Sequence, residues 1–329
     1  MYKKLFLFVA IITLLTLAAC GNGDTDASGE ASASETIRVG FQKGNSLHIL
    51  KTTGYLDEAL QEQGISVEWR ELATGGALLE ALNAGSIDFG HAADANAVFS
   101  QAAGMPLVYV AAALPNPEGL GIIVHGDAEF ETVADLAGER VAIGQGWNSH
   151  YLLLKALQEV GLSEEDINFA YVSDASEGRA AFESGEVSAL GFWDPFLAAL
   201  ELDIDARILL DGEGFTNNRT YYFASEDFAN ENSELVSTIL TELARSDEWA
   251  NENKDELADV LAAELGIELD PVQRQVNRKT YGVEKIDSNI TAEQQDIADV
   301  FFQEGLIDEE ITVADMVTED PEWIPEDWN

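Results

Sequence analysis

Ile37-Arg38-Val39-Gly40-Phe41-Gln42-Lys43-Gly44-Asn45-Ser46 passes from a short β-type run through a polar turn into a segment, Leu47 to Leu60, whose apolar spacing is helical. About a hundred residues on, Arg140-Val141-Ala142-Ile143 leads into Gly144-Gln145-Gly146-Trp147-Asn148-Ser149 and then a second helical run, His150 to Val160. The order strand, glycine-bearing turn, helix is the same in both places, and Asn-Ser recurs almost in register. A second pair strengthens the first. Leu79-Glu80-Ala81-Leu82-Asn83-Ala84-Gly85-Ser86-Ile87-Asp88 matches Arg179-Ala180-Ala181-Phe182-Glu183-Ser184-Gly185-Glu186-Val187-Ser188, each reading as a helix that ends at Gly and enters a strand. The same offset sets Asp94 opposite Asp194. Two echoes at nearly one offset predict two similar α/β lobes.

Strands alternating with helices predict mainly parallel sheets covered on both faces, with ligands beyond the carboxyl ends of the strands. Both glycine-bearing turns fall there, each opening a helix whose free N–H groups and positive dipole end favour an anion. Asn and Ser at these places also cap their own helices. Leu114-Pro115-Asn116-Pro117-Glu118-Gly119 breaks a strand run and reads as the first crossing between lobes; a return is expected near Gly212 to Thr220. Helices then follow at Ser233 to Trp249, Lys254 to Leu265, Pro271 to Tyr281 and Thr291 to Glu304, the last opened by a capping box of Thr291 and Gln294. They are expected to buttress the first lobe, and the tail Asp315 to Asn329 to pack loosely or along the surface.

Composition narrows the function. The 329 residues carry 61 acidic against 17 basic side chains, a net charge of −44, yet 46% are hydrophobic, so the body folds while its field repels nucleic acid. Such acidity suits a chain that meets salty water, where charge is screened. The single cysteine, Cys20, rules out a disulfide framework or a cysteine cluster in the body. It ends a leader: Lys3 and Lys4, an uncharged apolar run from Leu5 to Ala19, then Cys20-Gly21. The run is short for a bilayer span and is followed by acidic residues, as in a cleaved export signal. Gly21 to Glu35 holds no large apolar side chain and reads as a flexible tether.

Leu17-Ala18-Ala19-Cys20-Gly21 resembles the lipobox of bacterial lipoproteins, which implies lipid on Cys20 and an extracytoplasmic body anchored to the cell membrane. From about Ile37 to Glu304 the chain resembles the substrate-binding proteins of ABC importers, in the nitrate/taurine/alkanesulfonate branch and most of all those for aliphatic sulfonates. The stretches that carry this are Val39 to Gly44, Leu78 to Gly90, Gln101-Ala102-Ala103-Gly104, Thr132 to Gly138 and Trp193-Asp194-Pro195-Phe196. The resemblance implies an α/β, two-lobed periplasmic-binding-protein fold of type II, each lobe a mostly parallel sheet flanked by helices, with ligand in the interlobe cleft. The expected layout is a signal peptide over 1–19, a tether over 20–35, lobe 1 over 36–115, lobe 2 over 116–218, and a return to lobe 1 with the C-terminal helices over 219–329. The implied partners are a small anionic solute and an ABC permease with its ATPase, the protein itself being a monomer that uses no cofactor.

Carried over residue by residue, the expected ligand site is Gln42, Asn45, Ser46, Thr74, Gly75, Asp94, Gln145, Gly146, Trp147, Asn148, Ser149, Trp193 and Asp194. Arg219, where the second crossing should enter the cleft, is either a planar fork for a sulfonate or one half of a surface ion pair. The chain departs from the family at three places. Ala92-Ala93-Asp94 stands where Thr-Gly-Asp is usual, Gln145 where Lys is frequent, and Trp147 where a small residue is frequent. Less charge and more apolar surface at the anion site open a second reading, a receptor for a thiamine-pathway pyrimidine or another small heterocycle. An enzyme on the same fold is the remote reading, since no nucleophile has an evident base and neither metal nor nucleotide motif is present. His48 and His150 hold matching places and are expected to pack or hydrogen-bond near the cleft rather than bind metal.

Overall fold

A computed structural model describes residues 35–328, so the leader, Cys20 and the tether up to residue 34 lie outside the described residues. The first sheet contains β1 (Glu35–Phe41), β2 (Ile65–Glu71), β3 (Phe89–Ala93) and β4 (Leu107–Ala113), and the second contains β5 (Leu120–His125), β6 (Arg140–Ile143), β7 (Asn168–Tyr171), β8 (Ala189–Trp193) and β9 (Ala206–Asp211). The chain then returns to the first with β10 (Thr220–Ser225) and β11 (Val283–Glu284). The orders are β11-β4-β10-β3-β1-β2 and β7-β6-β8-β5-β9.

Setting β11 aside, these are one topology used twice. β1 is parallel to β2 and β3, as β6 is to β7 and β8, whereas β10 and β5 run antiparallel to both their neighbours. Four of the five strands in each lobe therefore share a direction, and the reversed one is the strand that has just crossed from the other lobe. It begins at the crossing and leads away, so it must oppose strands whose carboxyl ends point there. The two crossings are joined to each other: the Asn116 N–H donates to the Asn217 carbonyl at 2.9 Å and that of Gly212 to the Pro117 carbonyl at 3.2 Å.

Central strands are buried along nearly their whole length, as β4 and β8 show, while the edge strand β2 alternates. Helices α1 (Ser46–Thr53), α2 (Tyr55–Gln61), α3 (Gly75–Asn83) and α4 (Asp94–Ala102) cover the first sheet; α5 (Asn148–Glu159), α6 (Ala175–Glu183) and α7 (Phe196–Asp203) cover the second. The expected single helix Leu47 to Leu60 is two, because Gly54 sits at φ 72° and closes α1 by donating to the Leu50 carbonyl.

The C-terminal part holds α8 (Glu226–Glu231), α9 (Ser233–Glu252), α10 (Lys254–Leu265), α11 (Leu269–Arg278) and α12 (Ser288–Gln303). Three expectations need correction here. Asp287, not Thr291, caps α12, accepting from the Asn289 and Ile290 amides; Gln294 is buried and donates to the Asp94 carbonyl and the Tyr109 hydroxyl. The tail is packed rather than loose: Trp323 is 2% exposed and donates to the Val110 carbonyl. Nor do these helices serve the first lobe alone. From α11, Arg278 and Arg274 pair with Glu201 of α7, and from α12, Asp296 accepts from Tyr151 and pairs with Lys155 of α5.

Candidate functional site

A cavity of about 540 Å³ opens between the lobes. The starts of four helices form its polar walls: Asn45 before α1, Thr74 and Gly75 at α3, Trp147 and Asn148 at α5, Asp174 and Ala175 at α6. Each stands there because a parallel strand delivers the chain to the cleft and a turn sends it back as a helix. Thr74 accepts from the Ala77 amide and Asp174 from that of Glu177, so these two caps are equivalent in the two lobes. The Gly75 and Gly76 amides have no protein acceptor among the described residues and lie at the positive end of α3, a setting that suits an anion's oxygens.

The two glycine turns are fixed by one device. The Gly44 N–H donates to Nδ1 of His48 at 3.0 Å, and the Gly146 N–H to Nδ1 of His150 at 3.2 Å. Accepting at Nδ1 places the ring proton on Nε2, which in His48 donates to Glu264. Both rings are buried, and burial lowers the pKa of each, His150 to about 4, so they stay neutral. The shared feature is thus Gly-x-x-x-His, one residue out of step with the Asn-Ser match seen in the sequence. In this register Asn45 and Trp147 occupy the same N-cap place, but only Asn45 makes the cap, to the Ser46 amide.

Trp147 instead turns its indole into the cleft. A side chain on Gly144 would lie 1.9 Å from that ring, so glycine is what lets Trp147 fold back over the turn. Gly146, at φ 72°, would bring a Cβ within 2.3 Å of the Phe99 ring of lobe 1; it belongs to the interlobe packing and does not line the cavity. Trp147 meets Trp193 edge-on at 4.8 Å, and Trp193 meets Phe196 edge-on at 5.8 Å, making one aromatic wall of lobe 2.

Of the sequence-derived residues, Gln42, Asn45, Thr74, Gly75, Trp147, Asn148, Trp193, Asp194 and Arg219 meet around the cavity. Five do not. Ser46 is buried against Tyr222 and Asp247, and Ser149 against Gly191, because the first turn of each helix rotates them toward their own sheets. Gln145 is exposed, away from the cavity. Gly146 packs on Phe99. Asp94 is buried beside the crossings in a separate 280 Å³ cavity with Tyr151, Arg219 and Glu293. Burial pushes its carboxyl up to about 7, against the amides of Ala95 and Arg219 that favour the charged form. Asp194, at the cleft, is raised by burial to about 6 and stands 3.4 Å from Arg278 Nε.

Arg219 is neither a free fork nor a surface pair. It is 7% exposed; its guanidinium donates to Glu293 at 2.8 Å, to the Ala113 carbonyl at 2.8 Å, and to Glu284. Those bonds, made through Nε and Nη1, join the start of β10 to β4, β11 and α12. The sequence reading missed other lining residues. Asn218, at φ 45°, receives from Asn148 at 2.6 Å and donates to the Asn116 carbonyl at 2.7 Å, holding α5 to both crossings. Asp174, Gln275 and Lys279 also reach the cavity. Asp174 was legible as the partner of Thr74 in the second repeat; Gln275, within α11, and Lys279, at its end, belong to a helix with no counterpart in the other lobe and no motif. No group of three or more His, Cys, Asp or Glu placed to hold a metal is found among the described residues.

An NMT1/THI5-like family model matches residues 51–257. An Escherichia coli (strain K12) protein named as a putative aliphatic sulfonates-binding protein is 32% identical over 308 residues, which is 93% of this chain and 96% of its own. The solved periplasmic aliphatic sulphonate-binding protein SsuA from Escherichia coli superposes with a TM-score of 0.82 at 31% identity, over 87% of this chain and 92% of that one. The alkanesulfonate-binding protein SsuA from Xanthomonas axonopodis pv. citri, solved with MOPS bound, gives 0.79 at 34% identity over 87% and 99%.

Proposed function

This chain belongs to the NMT1/THI5-like family, and we propose that within it the chain is the lipid-anchored, extracytoplasmic receptor of an ABC importer, binding an aliphatic sulfonate or similar small anion between its lobes. The observation that carries the reading is the cleft's division into two chemistries. The N-terminus of α3, with its unpartnered Gly75 amide, faces it from lobe 1, and Trp147, Trp193 and Phe196 face it from lobe 2. A compact anionic head on an apolar tail needs both. The relatives named as sulfonate-binding proteins support the ligand class, and the MOPS-bound relative supports a cleft that admits a bulky sulfonate. The Cys20 leader supports an anchor that keeps the body near a permease, where tethering raises its effective concentration. No helix among the described residues is long and apolar enough to cross a membrane.

Binding to the native state raises the melting temperature, so a thermal-shift screen with alkanesulfonates of graded length, taurine, aromatic sulfonates, nitrate and pyrimidines tests the reading. A shift that grows with alkyl length is expected; none with any sulfonate would refute it. The aromatic wall favours a second reading, a flat heterocycle stacked on an indole face that lines the cleft. In that case only pyrimidines shift the melting temperature, and ligand co-purified with the protein absorbs in the ultraviolet. Release of a Cys20→Ser variant from the membrane fraction checks the anchor.

A further inference from the structure

Three cationic side chains line the cleft among the described residues, and two are engaged. Arg219 is held by Glu284 and Glu293, and Lys43 lies 3.8 Å from Glu71 and donates to the Glu264 carbonyl. The third, Lys279, has no carboxylate within ion-pair distance; its ammonium lies over the Tyr281 ring, 4.9 Å from the centroid. We propose that Lys279 is the residue that selects an anionic ligand in this cleft, its ammonium being the counter-charge for the head group. The proposal rests on the anion-receptor reading above and names the residue that makes it work.

Three observations support it. First, the backbone at Lys279 is fixed from both sides: its N–H donates to the Gln275 carbonyl and its carbonyl accepts from Lys254 Nζ at 3.0 Å. The ammonium is therefore offered from a rigid base rather than from a mobile surface arm. Second, burial lowers its pKa, opposed by the more distant carboxyls of Asp247 in lobe 1 and Asp194 in lobe 2. Burial drives both carboxyls toward their neutral forms, to about 7 and about 6. A partly desolvated cation on which no carboxylate closes is short of a partner, and a ligand anion supplies one. Third, a chain of net charge −44 repels anions at long range, and helix termini offer only partial charges. One full positive charge inside the cleft reverses the field where the head group sits.

The test compares hexanesulfonate with its neutral sulfonamide by titration calorimetry on the mature chain and on Lys279→Gln and Lys279→Arg. Loss of a charged hydrogen bond predicts hexanesulfonate binding about tenfold to a hundredfold weaker in Lys279→Gln. Sulfonamide binding should stay within about twofold, because no charge is involved. Lys279→Arg should keep the preference for the anion. The melting temperature of Lys279→Gln should hold or rise, since an unpaired buried ammonium is removed. Equal hexanesulfonate affinity in wild type and Lys279→Gln, or an equal loss of both ligands, overturns the proposal and leaves the receptor reading standing. Should wild type ignore sulfonates yet bind nitrate or sulfate in a Lys279-dependent way, the sulfonate reading falls and Lys279 keeps its role. Wild type that binds no anion at all overturns both.

Discussion

The two lobes solve the same placement problem with different residues. At the foot of each reversed strand a carbonyl receives the amide of an aspartate: Arg219 receives Asp94 at 3.1 Å in lobe 1, and Gly119 receives Asp194 at 2.9 Å in lobe 2. Where arginine stands, two glutamates gather, and the aspartate is shut into the small cavity beside the crossings. Where glycine stands, the aspartate lines the cleft beside Trp193 and Phe196. The glycine turns diverge likewise, with a capping Asn45 in one and an indole at the same place in the other. The repeat thus conserves backbone direction and hydrogen bonds, while side chains at equivalent places divide the work: lobe 1 presents amides and positive charge, lobe 2 an apolar wall and a carboxyl.

Breaking the lobe 1 side should cost the most. Arg219→Ala leaves Glu284 and Glu293 without their buried cation; the cost of about 3–5 kcal/mol for breaking a fully buried pair is the upper bound, because both carboxylates are about one-third exposed. Denaturant unfolding should give a loss within that bound, with the order of ligand preference unchanged because the guanidinium holds the fold and is not free for ligand. A changed preference with little loss of stability would return Arg219 to the ligand site.

Next comes the contrast between the two aspartates. Both carboxyls are raised by burial, Asp94 to about 7 and Asp194 to about 6, from an ordinary value near 3.8. A raised acid adds stability below its unfolded pKa and loses it as pH climbs through the folded one. Asp194→Asn should therefore flatten a decline between about pH 4 and 6, worth about 3 kcal/mol, and Asp94→Asn one between about pH 4 and 7, worth about 4 kcal/mol. His91 and His150, lowered by burial to about 3 and about 4, act in the opposite sense, removing stability as pH falls below about 6.5. Stability measured against pH for the two variants separates the windows; identical profiles would mean that the aspartates share one environment.

Much of this division was legible. Strand, turn and helix repeat openly at Ile37 to Ser46 and Arg140 to Ser149, because a parallel α/β unit needs a buried run, a reversal and an amphipathic helix, and each leaves its own spacing. The cleft followed from strand direction. What misled was register: Asn-Ser aligns by identity one residue away from the Gly-to-His bond that the backbone honours, and that single step turns Ser46 and Ser149 inward. Asp94 and Asp194 matched in sequence and parted in space, since each is anchored to a different residue, Arg219 or Gly119, respectively 125 and 75 residues away in the chain. Lys279 was illegible for a related reason. It reaches the cleft through α10 and α11, which pack on α1 and α9 of lobe 1 and reach α7 of lobe 2, an addition outside the repeat with no internal copy for comparison.

The smallest effect gives the sharpest test of the comparison. Trp147 stands at the N-cap of α5 without capping it, whereas Asn45 caps α1 from the same place. Trp147→Asn gives lobe 2 the lobe 1 residue, and a restored cap is worth about 1 kcal/mol of stability, set against the packing that the indole loses on Trp193 and the lobe 2 core. If the indole's task is to wall an alkyl tail, that gain is matched by a loss elsewhere. Each buried methylene contributes about 0.8 kcal/mol, so wild-type affinity should climb about three- to fourfold per added carbon, and the variant should climb less steeply. Gly144→Ala separates the two effects, because its Cβ meets the indole while leaving the cap position as it is. It should lower the slope without the gain in stability. A variant that is more stable and keeps the full chain-length slope would place the tail against lobe 1, and the division of labour between the lobes would have to be redrawn.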